Sequence, residues 1–187
     1  VLGESQISYC KKEQDCRIRS VRLLPEHPKA LGAAVRAIEE ADMIVLAPGS
    51  LYTSIIPNLL VDGITEAIRR SRALKLYVCN VMTQEGETEG YTVSDHIQAL
   101  FKHSAPELFR LCLTNSTPIP ESIAQRYAAE GAEPIHHDAE RCRALGVELI
   151  DRPVAALENG LVRHNPGHLA RELMTIYEQH AYDDPAV

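Results

Sequence analysis

The chain has 187 residues, a formal net charge of −7 and a hydrophobic fraction of 45%. This length is sufficient for one domain with a substantial core. Acidic and basic residues are interspersed, which argues against general nucleic-acid or membrane-surface binding, because both need a basic face. Apolar runs stay well below the roughly 20 residues of a membrane span, and a secretory signal is not visible.

The five cysteines also bear on the setting of the protein. They form no C-x-x-C pair, and their number is odd. Cys79 and Cys112 lie in apolar, strand-like runs, where a thiol behaves as a small hydrophobe. We therefore expect a reduced, cytoplasmic location rather than a disulfide framework.

Strand-like and helix-like segments alternate along the chain. The first half predicts a strand at 17–24, a helix at 28–40, a buried strand at 43–46, a helix capped by Asp62 that runs to 70, and a strand at 74–79. The second half predicts a helix capped by Ser94 that runs to 103, a strand at 108–114, helices at 120–130 and 138–145, a strand at 147–150, a hairpin around Asn159-Gly160 with arms at 153–157 and 161–164, and a helix at 166–180.

Uniformly apolar strands that alternate with helices are typical of a parallel sheet covered by helices on both faces. The fold class expected is therefore α/β, with a Rossmann-like parallel sheet and a late β-hairpin. We expect residues 1–182 to form a single α/β domain and residues 183–187 to form a loose tail.

The turn Pro48-Gly49-Ser50 follows the buried strand at 43–46 and precedes a helix start. Gly49 permits close backbone approach, and Ser50, Tyr52 and Thr53 supply hydroxyl groups beside N–H groups at a helix start. Two interpretations stay open: an anion-binding turn, or an ordinary strand-to-helix turn with a capping serine.

Two other strands also end in polar residues, at Asn80 and at Asn115. Because the carboxyl ends of parallel strands share one edge of a sheet, these ends and the Pro48-Gly49-Ser50 turn predict a single ligand crevice. Within the polar segment 80–88, Asn80 and Thr83 lie nearest the strand and are the preferred ligand contacts. The alternative is a solvated surface loop, which would account for Glu85, Glu87 and Glu89.

Other polar groups have simpler explanations. Asp95 beside His96 fits a helix N-terminus, although His96 could act as a base or contact a phosphate. His136-His137-Asp138 lacks a third metal ligand at a recognisable spacing, so we expect a helix-entry loop with Asp138 as N-cap, and no metal site. A nucleophilic catalytic set cannot be assembled from spacing.

Several stretches together resemble a known family. They are Ala47-Pro-Gly-Ser-Leu-Tyr-Thr-Ser-Ile-Ile-Pro-Asn-Leu-Leu-Val61, Tyr77-Val-Cys-Asn-Val-Met-Thr-Gln84, Gly86-Glu-Thr88 and Asp95-His96. They closely resemble the gluconeogenesis factor (YvcK-type) branch of the CofD-like family, over its C-terminal two-thirds. Ala47, where the family usually has Gly, and Glu85, where Pro is common, are small departures.

The resemblance implies a bacterial cytoplasmic protein that binds a UDP-sugar, UDP-N-acetylglucosamine or UDP-glucose, and that is needed for cell shape and for growth on gluconeogenic carbon sources. It also nominates Tyr127, in Gln125-Arg-Tyr-Ala, and Arg163, in Leu161-Val-Arg-His, as ligand contacts. On spacing alone, both residues would be ordinary surface or half-buried positions.

The resemblance leaves other functions open. Distant relatives transfer a 2-phospho-L-lactyl group to a deazaflavin with Mg²⁺, so a transferase is the alternative to a regulator. A pure interaction protein, whose ligand switches a surface for an unknown protein partner, and a homo-oligomer are also consistent with the sequence. The family's Gly-rich nucleotide loop does not occur in this chain, so part of the site is expected to lie in an N-terminal portion outside it.

Overall fold

The computed structural model describes residues 1–14 and 17–180. The tail expected at 183–187 and the thiol of Cys16 lie outside these residues. Cys79, Cys112 and Cys142 are buried free cysteines, as expected of thiols that pack as small hydrophobes.

The elements alternate broadly as the sequence predicts. The first half of the chain forms α1 (Ser5–Gln14), α2 (Gly32–Glu39), β1 (Met43–Leu46), a π-helical turn (Leu51–Ile55) that continues into α3 (Ile56–Leu59), α4 (Ile64–Arg70) and β2 (Leu74–Val78). The second half forms α5 (Val93–His103), β3 (Leu111–Asn115), α6 (Glu121–Ala129), α7 (Ala139–Ala144), β4 (Glu148–Arg152), β5 (Ala155–Glu158), β6 (Leu161–His164) and α8 (Pro166–His180).

The main sheet contains four parallel strands in the order β1-β2-β3-β4. Strands β5 and β6 form a separate antiparallel hairpin, and its turn residues Asn159 and Gly160 have φ values of 50° and 75°. Positive φ at both central residues is what a two-residue hairpin turn requires. The parallel sheet with a late hairpin confirms the fold class expected from the sequence.

Apolar clusters lie on both faces of the sheet. On one face, Tyr77 and Cys112 pack with residues of α3, α5 and α7, including Ile97 and Leu100. On the other face, Leu76, Val78, Leu111 and Leu113 pack with Ile176 of α8. A third cluster joins the hairpin to α6 through Val162 and Tyr127. Strand residues alternate between the two faces, so both must be apolar, which explains the uninterrupted apolar runs.

The strand expected at residues 17–24 is wrong: this segment is irregular. Side chains of α5 hold it instead of a neighbouring strand. Lys102 Nζ donates to the carbonyl of Arg19 at 2.5 Å, and His103 Nε2 accepts from the backbone N–H of Val21 at 3.2 Å. The apolar pattern therefore reflects packing against a helix.

Two expected helix caps are also wrong. Gly63, with φ of 99°, is the N-cap of α4, and the Asp62 carboxylate binds Lys29 Nζ at 2.7 Å. Thr92 is the N-cap of α5, where it forms a reciprocal capping box with Asp95. Capping residues are small and polar, so neighbouring candidates cannot be told apart from the sequence.

Candidate functional site

A cleft of about 660 Å³ lies at the carboxyl ends of β1 and β2 and extends to the hairpin. The size is within the range of small-molecule sites. Its walls come from the turn after β1, the segment after β2, α6 and its C-terminal loop, and β6. The lining residues are Pro48, Gly49, Ser50, Asn80, Val81, Met82, Thr83, Gln84, Glu85, Tyr127, Glu130, Ala132, Val162, Arg163 and His164.

Six of the nine sequence-predicted ligand residues lie together in this cleft. They are Gly49, Ser50, Asn80, Thr83, Tyr127 and Arg163. The first four follow neighbouring parallel strands, which is why their chain positions indicate a shared edge. The position of Tyr127 and Arg163 beside them follows from the docking of the hairpin on α6, which no local pattern indicates.

Side-chain amides fix the turn after β1 against the segment after β2. Asn80 Nδ2 donates to the carbonyl of Gly49 at 2.9 Å. Ser50 Oγ donates to Gln84 Oε1 at 2.8 Å. Because each contact joins two walls of the cleft, both contacts help to fix the shape of the cleft before a ligand binds.

Glu87 holds the same turn from beneath. Its side chain is buried, with the residue 1% exposed, so the alternative of a solvated surface loop does not hold for Glu87. Oε2 accepts the backbone N–H of Tyr52 at 3.1 Å, and Oε1 accepts Thr53 Oγ1 at 2.9 Å. The N–H of Tyr52, expected to be available to an anion, therefore already has a carboxylate partner.

Helix α1 closes over this carboxylate. Gly86 has φ of 82°, and a Cβ placed on it would lie 2.7 Å from the carbonyl oxygen of Ser8. A side chain at position 86 would therefore be strained and would also force α1 away. This close approach helps to exclude water from Glu87.

Thr83 joins the cleft to the loop after α6. Its N–H donates to the carbonyl of Glu133 at 2.8 Å, and its Oγ1 accepts the N–H of Glu133 at 2.9 Å. The Thr83 hydroxyl retains its own proton for another acceptor. The residue is therefore both a structural link and a candidate donor to a ligand.

Tyr127 attaches α6 to the hairpin. Its hydroxyl accepts the N–H of Val162 at 3.0 Å, and its ring packs in the hairpin cluster. The guanidinium of Arg126 lies 5.8 Å from the ring centroid and donates to the carbonyl of Gly160. With the hydroxyl engaged, the ring of Tyr127 is the part suited to contact a ligand.

Arg163 brings positive charge to the cleft. Within 1–14 and 17–180, its guanidinium donates only to the carbonyl of Val162, at 3.3 Å. The remaining N–H groups can bind an anion in bidentate fashion. Glu85 and Glu130 line other parts of the cleft, so its charge is unevenly distributed.

His164 also lines the cleft, although it is not among the ligand residues predicted from the sequence. Its Nε2 is buried and has no hydrogen-bond partner among the described residues, and burial lowers the pKa of the imidazole despite an opposing interaction with the Cys79 backbone. Burial therefore favours the neutral form of the ring. The one feature of the sequence that could have indicated His164 is its position directly after Arg163. Neighbouring strand residues point to opposite faces, however, so this position does not show that His164 lines the cleft.

Three predicted ligand residues lie outside the cleft lining. Tyr52 is buried and its hydroxyl pairs with that of Tyr91 at 2.8 Å; burial raises the pKa of Tyr52. Thr53 binds Glu87. Asn115 Oδ1 accepts the N–H groups of Thr117 and Ala155, at 3.1 and 2.9 Å, so it shapes the entry to the hairpin.

The remaining polar motifs have structural partners. His96 is buried, and its Nδ1 lies 2.9 Å from the carbonyl of Thr92. Asp138 is the N-cap residue of α7, as expected, but its side chain makes no capping hydrogen bond there; its carboxylate accepts the N–H of Ser94 in α5 at 2.9 Å. His137 Nδ1 lies 2.8 Å from Asp151 Oδ1. Among the residues that the structure describes, no group of three or more His, Cys, Asp or Glu side chains has a metal-binding arrangement.

The helices in the described ranges are too short or too polar to cross a membrane. This finding agrees with the absence of a long apolar run in the sequence.

The sequence and the fold of the chain are similar to those of known proteins. Residues 1–155 match the family model described as 2-phospho-L-lactate transferase CofD. The chain is 43% identical to a gluconeogenesis factor of Halalkalibacterium halodurans over 93% of this chain and 53% of that protein. It is 41% identical to the gluconeogenesis factor of Bacillus subtilis, over 96% of this chain and 55% of that protein.

The structural comparison agrees. A crystal structure of a Bacillus halodurans protein superposes with a TM-score of 0.88 at 42% identity, covering 93% of this chain and 55% of that one. The chain thus spans about half the length of the relatives that it matches. The resemblance to gluconeogenesis factors is confirmed, and the chain belongs to the CofD family.

Proposed function

We propose that this protein binds a UDP-sugar, UDP-N-acetylglucosamine or UDP-glucose, in the cleft between the carboxyl edge of the sheet and the hairpin. We propose further that it is a cytoplasmic regulator that supports cell shape and growth on gluconeogenic carbon. The names of its relatives favour the metabolic role. The observation that carries the proposal is the convergence of Arg163, Tyr127 and the amide and hydroxyl groups of 49–84 on one cleft.

The chemistry of the walls suits the parts of a nucleotide sugar. A diphosphate needs a cation with several N–H donors, which Arg163 supplies. A base or a sugar ring can stack on Tyr127. The hydroxyls of a sugar and the polar edge of a uracil need short, fixed donors and acceptors, of the kind supplied by Asn80 and Thr83.

Titration calorimetry with UDP-N-acetylglucosamine, and with ADP-glucose as the mismatched nucleotide, tests the proposal. We expect saturable binding of the first and at least tenfold weaker binding of the second. Arg163→Ala should weaken binding by about 10- to 150-fold, the equivalent of about 1.5–3 kcal/mol for a charge-assisted contact. Arg143→Ala, which removes an exposed arginine of α7, is the matched control and should leave the affinity unchanged.

A phospholactyl transferase is the second candidate, and the family match favours it. Incubation with a nucleotide-activated lactate donor, a deazaflavin and Mg²⁺ tests it directly. Phospholactyl-deazaflavin formed at a rate proportional to protein concentration would support the transferase. No product under conditions in which an active transferase makes it would reject this candidate.

A ligand-switched interaction role is compatible with the first proposal. Unknown protein partners, or a second copy of the chain, would then bind differently with and without UDP-sugar. Affinity capture and light scattering at both ligand conditions measure this difference. Identical partners and identical mass in the two conditions would reject the switch without affecting ligand binding.

A further inference from the structure

Glu87 is a buried carboxylate in the loop after β2, close in the chain to the cleft-lining residues. Its Oε1 accepts Thr53 Oγ1 at 2.9 Å and Gln84 Nε2 at 3.3 Å, and its Oε2 accepts the Tyr52 N–H at 3.1 Å. Two of these donors, on Tyr52 and Thr53, belong to the turn from Pro48 to Ser54, and the third belongs to the segment after β2; Ser8 Oγ of α1 adds a longer contact to Oε1 at 3.5 Å. Glu87 therefore contacts both the start of the helical segment and a cleft-lining side chain.

The Tyr52 N–H lies at the start of the continuous helical segment from Leu51 to Leu59. N–H groups in this position attract an anion, because they lack a partner within the helix. Here the anion is a side chain of the same protein. A second anion next to a buried carboxylate would be repelled strongly, since little water screens the charges.

We propose that Glu87 is a specificity-determining residue that keeps the anionic part of the ligand away from the Pro48–Ser54 turn. This inference rests on the proposed UDP-sugar function. The diphosphate is then seated at Arg163, on the hairpin side of the cleft. The uncharged polar part of the ligand lies against Gly49, Ser50 and Asn80. Glu87 acts without touching the ligand, through its charge and through the geometry of the turn.

The acidic groups elsewhere in the cleft agree with this orientation. Glu130, which lines the cleft, lies at the end of α6. Together with Glu87 beneath the turn, it places carboxylates near two sides of the cleft. Arg163 is the cation among the lining residues, so the electrostatics leave one favourable place for a diphosphate.

The ratio of the uridine Kd to the UDP Kd measures how strongly the cleft prefers a phosphate-bearing ligand. We expect a ratio of about 10 or more in the natural protein, and a ratio near 1 in Arg163→Gln. Glu87→Gln retains one acceptor oxygen and removes the charge, so the ratio should rise at least threefold above that of the natural protein. Glu178→Gln removes one negative charge from an exposed position in α8 and should leave the ratio unchanged.

The variants also distinguish an effect of Glu87 on the position of the phosphate from an effect on the structure of the turn alone. A loss of uridine and UDP affinity by the same factor in Glu87→Gln would overturn the proposal, because it would show support of the turn alone. An unchanged ratio in Arg163→Gln would overturn it as well, because the phosphate would then bind elsewhere. Failure of every uridine ligand to bind the natural protein would instead contradict the proposed function.

Inorganic phosphate provides a test that needs neither a variant nor a uridine ligand. In ¹⁵N-resolved NMR spectra of the natural protein, phosphate should shift the Arg163 Nε–H resonance and leave the Tyr52 and Thr53 amide resonances in place. A saturable shift of the Tyr52 amide would overturn the proposal. This measurement remains decisive even if Glu87→Gln does not fold.

Discussion

The Glu87 carboxylate accepts the backbone N–H of Tyr52 at 3.1 Å, although 35 residues separate them in the chain. The contact joins the loop after β2 to the helical segment after β1, and both positions are almost fully buried. The turn sequence predicts that a ligand anion binds these N–H groups, but at Tyr52 the anion is the Glu87 side chain. The architecture of the cleft therefore depends on a residue outside its lining.

Replacement of Glu87 by alanine should destabilise the protein by about 2–3 kcal/mol. The substitution leaves the Tyr52 N–H and the Thr53 hydroxyl without their partner in a buried setting. Urea denaturation followed by circular dichroism measures the change. Glu178→Ala, which removes an exposed carboxylate of α8, should stay within about 0.5 kcal/mol. Equal effects of the two variants would contradict the role assigned to Glu87.

Asn80→Asp should be more damaging than Asn80→Ala. The amide of Asn80 donates to the Gly49 carbonyl at 2.9 Å, and a carboxylate would place a negatively charged oxygen against that carbonyl. We expect alanine to cost about 1 kcal/mol and aspartate at least about 1 kcal/mol more. Thermal and urea unfolding of both variants measure the difference. An aspartate variant as stable as the natural protein would be inconsistent with this hydrogen bond.

Tyr127→Phe separates the role of the hydroxyl from that of the ring. The variant should lose about 1 kcal/mol of stability, because the Val162 N–H loses its acceptor. Affinity for UDP-N-acetylglucosamine should change by less than about threefold, whereas Tyr127→Ala should weaken it more than tenfold. Calorimetry on the two variants provides the comparison. A large affinity loss in the phenylalanine variant would show that the hydroxyl contacts the ligand.

The free energy of unfolding should decrease as the pH is lowered below about 6.5, partly because of His96. Burial lowers the pKa of His96 from 6.5, so the unfolded chain binds a proton that the folded chain does not. Stability therefore increases with pH between the folded-state pKa and 6.5, by up to about 1.4 kcal/mol per pH unit for this group. His164, whose pKa is also lowered by burial, adds to the same slope.

His96→Asn tests this pH dependence. Asparagine can still donate to the Thr92 carbonyl, as Nδ1 of His96 does, but it does not titrate. Urea titrations at pH 7.0, 6.0 and 5.0 should show a smaller loss of stability in the variant than in the natural protein. The same slope in both proteins would exclude His96 as its source.

Short-range patterns account for most of the fold. The apolar strands and the Asn159-Gly160 turn are local features, and they predict the parallel sheet and the hairpin. The interpretation of residues 17–24 as a strand is wrong because an apolar pattern cannot distinguish packing on α5 from pairing in a sheet. The predictions of Asp62 and Ser94 as caps are wrong because each side chain binds a residue distant in sequence. The Asp62 carboxylate binds Lys29, and the Ser94 hydroxyl binds Asp138.

Some residues of the candidate site can likewise be predicted from local patterns, and others cannot. Gly49, Ser50, Asn80 and Thr83 follow neighbouring strands, so topology alone predicts that they meet. Glu87 looks like a solvated residue in a charged loop, and its burial depends on Tyr52, Thr53 and the approach of α1 at Gly86. The location of His164 in the cleft depends on how the hairpin packs against α6. Such contacts arise from tertiary packing, which a local pattern does not encode.

The crystal structure of the protein with UDP-N-acetylglucosamine tests the central claim most directly. We predict the nucleotide sugar in the cleft at the carboxyl edge of the sheet, with diphosphate oxygens about 3 Å from the Arg163 guanidinium. The Glu87 carboxylate should remain on the Tyr52 N–H. A ligand bound away from this cleft, or a diphosphate placed on the Tyr52 N–H with Glu87 displaced, would contradict the account.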